Sequence, residues 1–230
     1  MSLLSLQVHN AIGWILVLVT LGLVGFYVPP SAAQLKESYL IFFFHYPSAV
    51  NCLNFFILAG IISAVFLTRG QRNYRLDLGA ATAVEVGVVA CTVTLVTGSI
   101  WAKAAWGVFW EFGDKRLMTV AIMWFTYVGY LALRNTVDEP EKRARFGAVF
   151  SVIAAINVPL VYFSIKWFGR VQHPDPSKFS LAETSMVVTR WFGAFAFLVL
   201  YTAFWRLRYR NAVLRHETER LEEGLARAGI

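Results

Sequence analysis

Six long apolar runs constrain the fold of this chain more than any other feature of its sequence. An α-helix needs roughly 20 apolar residues to cross a hydrocarbon core of about 30 Å. The runs cover residues 11–29, 41–68, 78–100, 117–134, 147–167 and 185–205. Of the 230 residues 57% are hydrophobic and 15% charged, whereas about a quarter are charged in a typical soluble domain. The pattern predicts an all-α integral membrane protein with six transmembrane helices.

The basic residues predict how the chain is oriented. No Lys or Arg precedes the first run, which is longer than the apolar core of a signal peptide, so we expect a permanent helix in a chain that starts near Met1. Most of the 21 Lys and Arg residues fall in the second and fourth connections and in the tail. The positive-inside rule then predicts that both termini are cytoplasmic. Residues 1–205 would form the transmembrane domain, and residues 206–230 a cytoplasmic amphipathic tail that continues the sixth helix.

Composition also argues against several classes of function. The net charge of +7 is carried by the connections and the tail, where it orients the chain and attracts anionic membrane lipid rather than nucleic acid. The sequence has no phosphate-binding loop and no Ser-His-Asp order, so it does not predict an enzyme. Cys52 and Cys91 lie inside apolar runs, which predicts packing residues rather than a disulfide.

Two of the four histidines, His45 and His173, fall on the predicted outer side of the membrane near helix ends. Pro47 is best tolerated in a first helical turn, so we expect the second helix to begin close to His45. Two prolines follow His173 and predict a loop, and residues 180–183 have the spacing of a capping box that starts the sixth helix. Two neutral imidazoles can ligate one haem iron from opposite sides. The alternative is that each histidine is only a polar residue at the headgroup interface.

Five aromatic residues lie close together between the third and fourth runs: Trp101, Trp106, Phe109, Trp110 and Phe112. Together they would form a flat apolar surface that suits a porphyrin face. The alternative is an aromatic belt, because Trp and Tyr concentrate at membrane interfaces without any ligand.

Charged residues accompany this aromatic segment. Asp114 and Arg116 follow it directly, and Arg190 lies inside the sixth run. Arginines beside an apolar slot would pair with propionate carboxylates, although a structural ion pair or snorkelling to the headgroups is the alternative. Glu85 lies within the third run and needs a polar partner or a watery cavity.

Several segments resemble one family of haem-handling membrane proteins. Residues 106–117 resemble its tryptophan-rich WWD signature, although Phe112 stands where the last Trp is usual and one extra residue precedes Asp114. Further similarity covers residues 44–49, 97–101, 127–134 and 166–174. These segments resemble the family of cytochrome c maturation protein C, also called heme exporter protein C.

The resemblance implies a role in binding and delivering haem rather than in catalysis. Haem b, iron protoporphyrin IX, would be held at the periplasmic face by His45 and His173 as axial ligands, beneath an outer WWD loop between the third and fourth helices. Trp106, Trp110 and Asp114 would be signature residues, and Arg116 would pair with a propionate. Implied partners are a periplasmic haem chaperone, the membrane and ATPase subunits of an ABC transporter, and a small single-span subunit. The implied location is the bacterial inner membrane.

Two other functions remain open at this stage. In a transporter or channel subunit, the aromatic segment would be an interfacial belt, and Arg190 and Glu85 would line a solute path. The second alternative function is that of a cytochrome b anchor of a redox enzyme. Such anchors usually place histidines on paired helices through the bilayer, whereas His45 and His173 are predicted at one surface.

Overall fold

The computed structural model describes residues 3–29, 40–70, 73–168 and 183–228, and the regular structure of these residues is helical. The helices are α1 (Leu3–Phe26), α2 (Phe42–Arg69), α3 (Tyr74–Trp106), α4 (Lys115–Thr136), α5 (Pro140–Ala154), α6 (Asn157–Phe168) and α7 (Thr184–Ala228). Within these described ranges, six helical stretches are long and apolar enough to cross a membrane, with α5 and most of α6 together forming the fifth. The predicted all-helical chain with six candidate spans is confirmed, and the chain is a multi-pass membrane protein.

The fifth span is broken, which the sequence analysis did not predict. Instead of one helix over 147–167, α5 ends at Ala154 and α6 begins at Asn157. Pro159 explains the break, because it lacks an N–H and its ring would clash with the carbonyl four residues earlier, that of Ala155. The chain tightens at this point, where the Ile156 N–H donates to the carbonyl of Ile153.

The start of α2 also differs from the prediction. The helix begins at Phe42, three residues before His45, so Pro47 lies in the second helical turn rather than in the first. A proline at this depth removes one backbone hydrogen bond. Other contacts stabilise the segment, and they come from α7.

Asn51 and Gly193 join α2 to α7 beside this proline. The Asn51 side-chain amide donates to the carbonyl of Pro47 at 2.9 Å and to the carbonyl of Ala194 in α7 at 3.1 Å. Gly193 lets the helices approach closely, since a Cβ there would lie 3.3 Å from Pro47 Cγ. Asn51 therefore bridges α2 and α7.

Helix α7 is far longer than a membrane span. Its 45 residues extend about 67 Å at 1.5 Å per residue, roughly twice the hydrocarbon thickness. It begins at Thr184, and the predicted capping box falls mostly on residues 180–182, outside the described residues.

The helices alternate in direction, which gives the bundle two distinct ends. The His45 end contains the end of α1, the start of α2, the end of α3, the start of α4, the end of α6 and the start of α7. Residues 107–114, which we call the aromatic connection, join α3 to α4 at this end. The opposite end contains the start of α1, the connections after α2 and α4, and the extension of α7.

Ion pairs close the opposite end. The Arg134 guanidinium of α4 donates two hydrogen bonds to the Asp77 carboxylate of α3, at 2.5 and 2.8 Å, and both side chains are nearly buried. Gly147 of α5 leaves room for this pair, since a Cβ there would lie 2.7 Å from Arg134 Nη1. Glu85 of α3 has a polar partner as the sequence requires, because it accepts two hydrogen bonds from Arg208 of α7.

Candidate functional site

His45 lies in the first turn of α2, and its ring is oriented by α3. Its Nδ1 is 3.1 Å from the backbone carbonyl of Thr94 and 3.2 Å from Thr97 Oγ1. A carbonyl oxygen can only accept, so Nδ1 carries the hydrogen in this hydrogen bond and Nε2 carries the lone pair. The Thr97 hydroxyl is compatible with this tautomer, because it donates to the Val93 carbonyl at 2.7 Å and its oxygen can accept. Histidines that bind metals are oriented in this way, with the second ring nitrogen donating to a carbonyl.

Gly98 gives the His45 ring its room. A Cβ on Gly98 would lie 2.9 Å from His45 Cε1 and 3.3 Å from Nδ1, closer than real contacts allow. Thr94, Thr97, Gly98 and Trp101 recur at the three- and four-residue spacing of one helix face. Thr94 and Gly98 are not among the residues predicted for the site, although this spacing beside residues 97–101, which resemble the family, is a signal that could have found them.

An apolar cluster lies beside the His45 ring. The ring centroids of His45 and Trp101 are 6.0 Å apart, as are those of Phe42 and Trp101. Phe42 and Phe43 of α2 pack with Val24 and Val28 at the end of α1, and Met186 of α7 packs against the same cluster. Four helices therefore surround this region with apolar side chains.

The aromatic connection presents further apolar surface at the same end. Gly107 ends α3 in the left-handed conformation, with φ of 82°, and its N–H donates to the Lys103 carbonyl. Phe109 is 59% exposed and Phe112 is 76% exposed, although both are large aromatics. Trp110 is half-buried, with its ring centroid 6.4 Å from that of Phe112. Exposed aromatics grouped in this way are typical of a binding surface or a membrane interface.

Asp114 has a clear structural role. It is the N-cap of α4, where its Oδ1 accepts from the Leu117 N–H at 3.0 Å, and the residue is only 1% exposed. Just before it, the Glu111 carboxylate accepts from the Gly113 N–H at 3.0 Å. These two carboxylates fix the path of the aromatic connection into α4, which gives a physical reason for an aspartate at this position.

The two arginines predicted for propionates have different surroundings. Arg116 Nη2 donates to the Tyr162 carbonyl at 3.0 Å and so ties α4 to α6. The Arg190 guanidinium lies over the rings of Tyr46, at 5.5 Å, and Trp191, at 5.0 Å. Within the part of the chain that the structure describes, its buried Nε has no hydrogen-bond partner. Arg190 therefore places a cation against Tyr46 at the start of α2, at the same end of the bundle as His45.

The structure thus brings His45, Trp101 and Arg190 into one region, with Tyr46 and Phe42 between them. The other predicted residues with described positions lie at the same end of the bundle: Trp106, Phe109, Trp110, Phe112, Asp114 and Arg116. His173 lies outside the described residues, and its flanking helices, α6 and α7, end and begin at the His45 end. His9 and His216 are at the opposite end, where they contact Arg206 and Tyr74.

Comparison with known proteins agrees with the family resemblance found in the sequence. The family model described as heme exporter protein C matches residues 2–223. The protein named heme exporter protein C of Bradyrhizobium diazoefficiens is 30% identical over 209 residues, which cover 90% of this chain and 78% of that protein. The protein of the same name from Escherichia coli K12 is 28% identical over 223 residues, which cover 93% and 90% of the two chains. The one from Paracoccus denitrificans is 28% identical over 198 residues, which cover 84% and 81%.

Proposed function

The chain belongs to the heme exporter protein C family, and we propose that it binds haem b at the His45 end of the bundle and delivers it to a periplasmic haem chaperone. Membership of the family makes it a membrane protein that handles haem in cytochrome c maturation. Haem is the cargo in this proposal, and the protein supplies binding and orientation rather than bond chemistry.

The observation that carries the proposal is the hydrogen bond between His45 Nδ1 and the Thr94 carbonyl. It orients the imidazole and fixes the tautomer in which Nε2, the nitrogen that would ligate an iron, carries the lone pair. A histidine that served only as an interfacial polar group would gain nothing from a glycine that admits its ring, yet Gly98 makes that space. We propose His45 as one axial ligand and His173 as the other.

The surrounding side chains would hold the porphyrin. Trp101, Trp106, Phe109, Trp110 and Phe112 would supply apolar and aromatic contacts to the macrocycle. The Arg190 guanidinium lies over Tyr46, and its buried Nε has no hydrogen-bond partner among the described residues, which supports its role as a partner for a propionate; Arg116 would be the second. Asp114 would act indirectly, by fixing the aromatic connection at the start of α4.

The proposal also assigns an orientation. The His45 end would face the periplasm, both termini would be cytoplasmic, and the chain would lie in the bacterial inner membrane. Residues 1–205 would form the haem-handling domain and residues 206–230 the cytoplasmic tail. Partners would be the chaperone, a small single-span subunit, and an ABC transporter whose ATPase is a separate chain. The distribution of Lys and Arg supports this orientation.

The experiment that tests the proposal is a haem titration of the purified protein in detergent. Wild type should take up one haem with a low-spin absorption spectrum, whereas His45→Ala and His173→Ala should each weaken binding and change the spectrum. His216→Ala, at the opposite end, is the matched control and should behave as wild type. Unchanged spectra in both His45→Ala and His173→Ala would overturn the ligand assignment, and solute flux by a protein that takes up no haem would favour a transporter.

A further inference from the structure

The extension of α7 beyond the membrane carries a surface that haem binding does not use. Residues 206–228 add about 34 Å of helix to the apolar part of α7. Arg206, Arg208 and Arg210 mark the point at which the helix leaves the apolar region. Leucines further along the extension are therefore outside the hydrocarbon, where lipid does not cover them.

One face of this extension has the spacing of a coiled coil. Leu207, Leu214 and Leu221 are seven residues apart, and all three are exposed, at 43%, 48% and 69%. Between and after them come Asn211, Thr218 and Leu225, which complete the alternating spacing of four and three residues. We call this face the leucine seam; it consists of Leu207, Asn211, Leu214, Thr218, Leu221 and Leu225.

Contacts with α3 hold the other face of the extension. Trp205 Nε1 donates to the Gly79 carbonyl at 3.1 Å, and the His216 ring lies 4.4 Å from that of Tyr74. The Tyr74 hydroxyl also donates to the Glu217 carboxylate at 3.0 Å. Trp205 and His216 project from the side of the helix opposite Leu207 and Leu214. The α3 contacts therefore stabilise the helix and leave the leucine seam pointing away from the protein.

Charges beside the leucine seam determine which occupant fits. Arg210 and Arg215 flank its membrane-proximal part, and Glu217 and Glu222 flank its distal part, whereas Arg208 already pairs with Glu85 of α3. Two copies of this chain in one membrane would pair their seams in parallel, and flanking residues five positions apart would then meet. Arg210 would face Arg215 of the second copy, and Glu217 would face Glu222, so both pairs would repel.

We propose that the leucine seam docks a helix of a different protein, with acidic residues placed against Arg210 and Arg215 and basic residues placed against Glu217 and Glu222. Such a helix would bury the exposed leucines, and Asn211 would fix the register of the pair. Attachment to the same membrane would raise the effective concentration, so a seam of about three heptads is sufficient. The interaction is independent of haem, since it lies at the opposite end of the molecule.

A synthetic helix tests this proposal with the full-length protein in phosphatidylcholine nanodiscs. The labelled 23-residue peptide carries leucines and one asparagine in register with the leucine seam, Glu beside its first half and Lys beside its second half. A second peptide has the same seam and Gln at every flanking position. Fluorescence anisotropy should show the charged peptide binding about tenfold more tightly than the neutral one, and empty nanodiscs should bind neither.

Variants of the protein separate the seam from the rest of the helix. Leu214→Glu together with Leu221→Glu should abolish binding of the charged peptide. Arg220→Glu, which adds a glutamate on the other side of the same helix, should leave binding within twofold of wild type. Both substituted leucines are exposed, so these variants should fold and titrate with haem normally.

Three results would overturn the proposal: no binding of the charged peptide to wild type, equal binding of both peptides, or binding that survives the double leucine substitution. Efficient disulfide cross-linking between two Leu221→Cys chains in the membrane would also overturn it, because a second copy would then occupy the seam. A failed haem titration would leave these results unaffected, so the two proposals can be judged separately.

Discussion

At the opposite end of the bundle Arg134 and Arg208 each donate two hydrogen bonds to a carboxylate, whereas at the His45 end Arg190 lies over two aromatic rings with its Nε unpartnered in the described residues. The same contrast holds for aromatic side chains. Tyr127 and Tyr130 in the interior of α4 are fully buried, but Phe109 and Phe112 of the aromatic connection are exposed. The opposite end thus pairs Arg134 and Arg208 within the chain, whereas the His45 end contains a cation over aromatic rings, an imidazole oriented by α3 and exposed aromatic side chains.

This difference separates the residues that stabilise the bundle from those of the proposed haem site. The ion pair of Asp77 with Arg134 holds α3 and α4 together at the opposite end. Substitutions at the opposite end should therefore change mainly the free energy of unfolding, and substitutions at the His45 end should change mainly haem affinity.

The largest expected effect is on stability and comes from the opposite end. Arg134→Ala leaves the nearly buried Asp77 carboxylate without its partner, so the free energy of unfolding should fall by about 3 kcal/mol. Denaturant unfolding in detergent micelles measures this change. Lys142→Ala, which removes an exposed pair with Glu139, is the matched control and should change stability little. Folded Arg134→Ala protein should still bind haem, and a selective loss of haem binding would contradict the separation of the two ends.

Gly98→Ala should have the next largest effect, and on haem rather than on stability. The added Cβ would displace the His45 ring and disturb its hydrogen bond to Thr94, which should lower haem affinity by roughly tenfold. Haem titration measures the effect. Gly129→Ala is the control, because a Cβ there meets no described atom within 4 Å. If the two variants bound haem equally well, the positioning of His45 by α3 would be irrelevant to binding.

Arg190→Gln should have a smaller effect that depends on the cargo. Removing the cation should weaken haem binding about fivefold, as expected for a partly exposed ion pair worth ~1 kcal/mol. Haem with both propionates methyl-esterified should bind wild type and Arg190→Gln equally well. If Arg190→Gln instead weakened the binding of haem and of its dimethyl ester by the same factor, Arg190 would contribute by packing on Tyr46 and Trp191 and not by pairing with a propionate.

The smallest effect should be that of Asp114→Asn. Asparagine caps helices about as well as aspartate, so this variant should keep nearly all of its stability and haem affinity, whereas Asp114→Ala should lose about 1 kcal/mol of unfolding free energy. Thermal unfolding and haem titration of both variants give the comparison. A large loss of haem affinity in Asp114→Asn alone would mean that the carboxylate charge acts on the cargo directly.

The sequence predicts the membrane architecture well, because apolar runs of span length report directly on the bilayer. It predicts less well what a proline does inside a helix. Pro47 is tolerated in the second turn of α2 because Asn51 and Gly193 pack that segment against α7, and Pro159 breaks the fifth span in two. The outcome at Pro47 depends on α7, a neighbour that its own run does not contain, whereas the break at Pro159 follows from the local effect of the proline.

The candidate site shows the same limit. His45 and Arg190 could be chosen from residue type and position, since an ionisable side chain in an apolar run marks a candidate functional site, and Trp101 could be chosen from its place in the aromatic segment. Contacts between different helices could not be predicted from the sequence. Examples are the contacts of His45 with Thr94 and Gly98, and the ion pair between Glu85 and Arg208. His173 stays a prediction, since it lies outside the described residues.

The most direct test of the central claim is electron paramagnetic resonance of the ferric haem-loaded protein. If His45 and His173 are the axial ligands, wild type should give a low-spin bis-imidazole signal. His45→Ala and His173→Ala should each give a high-spin signal, and added imidazole should restore the low-spin signal in both. A low-spin signal that persists in either variant without imidazole would contradict the account.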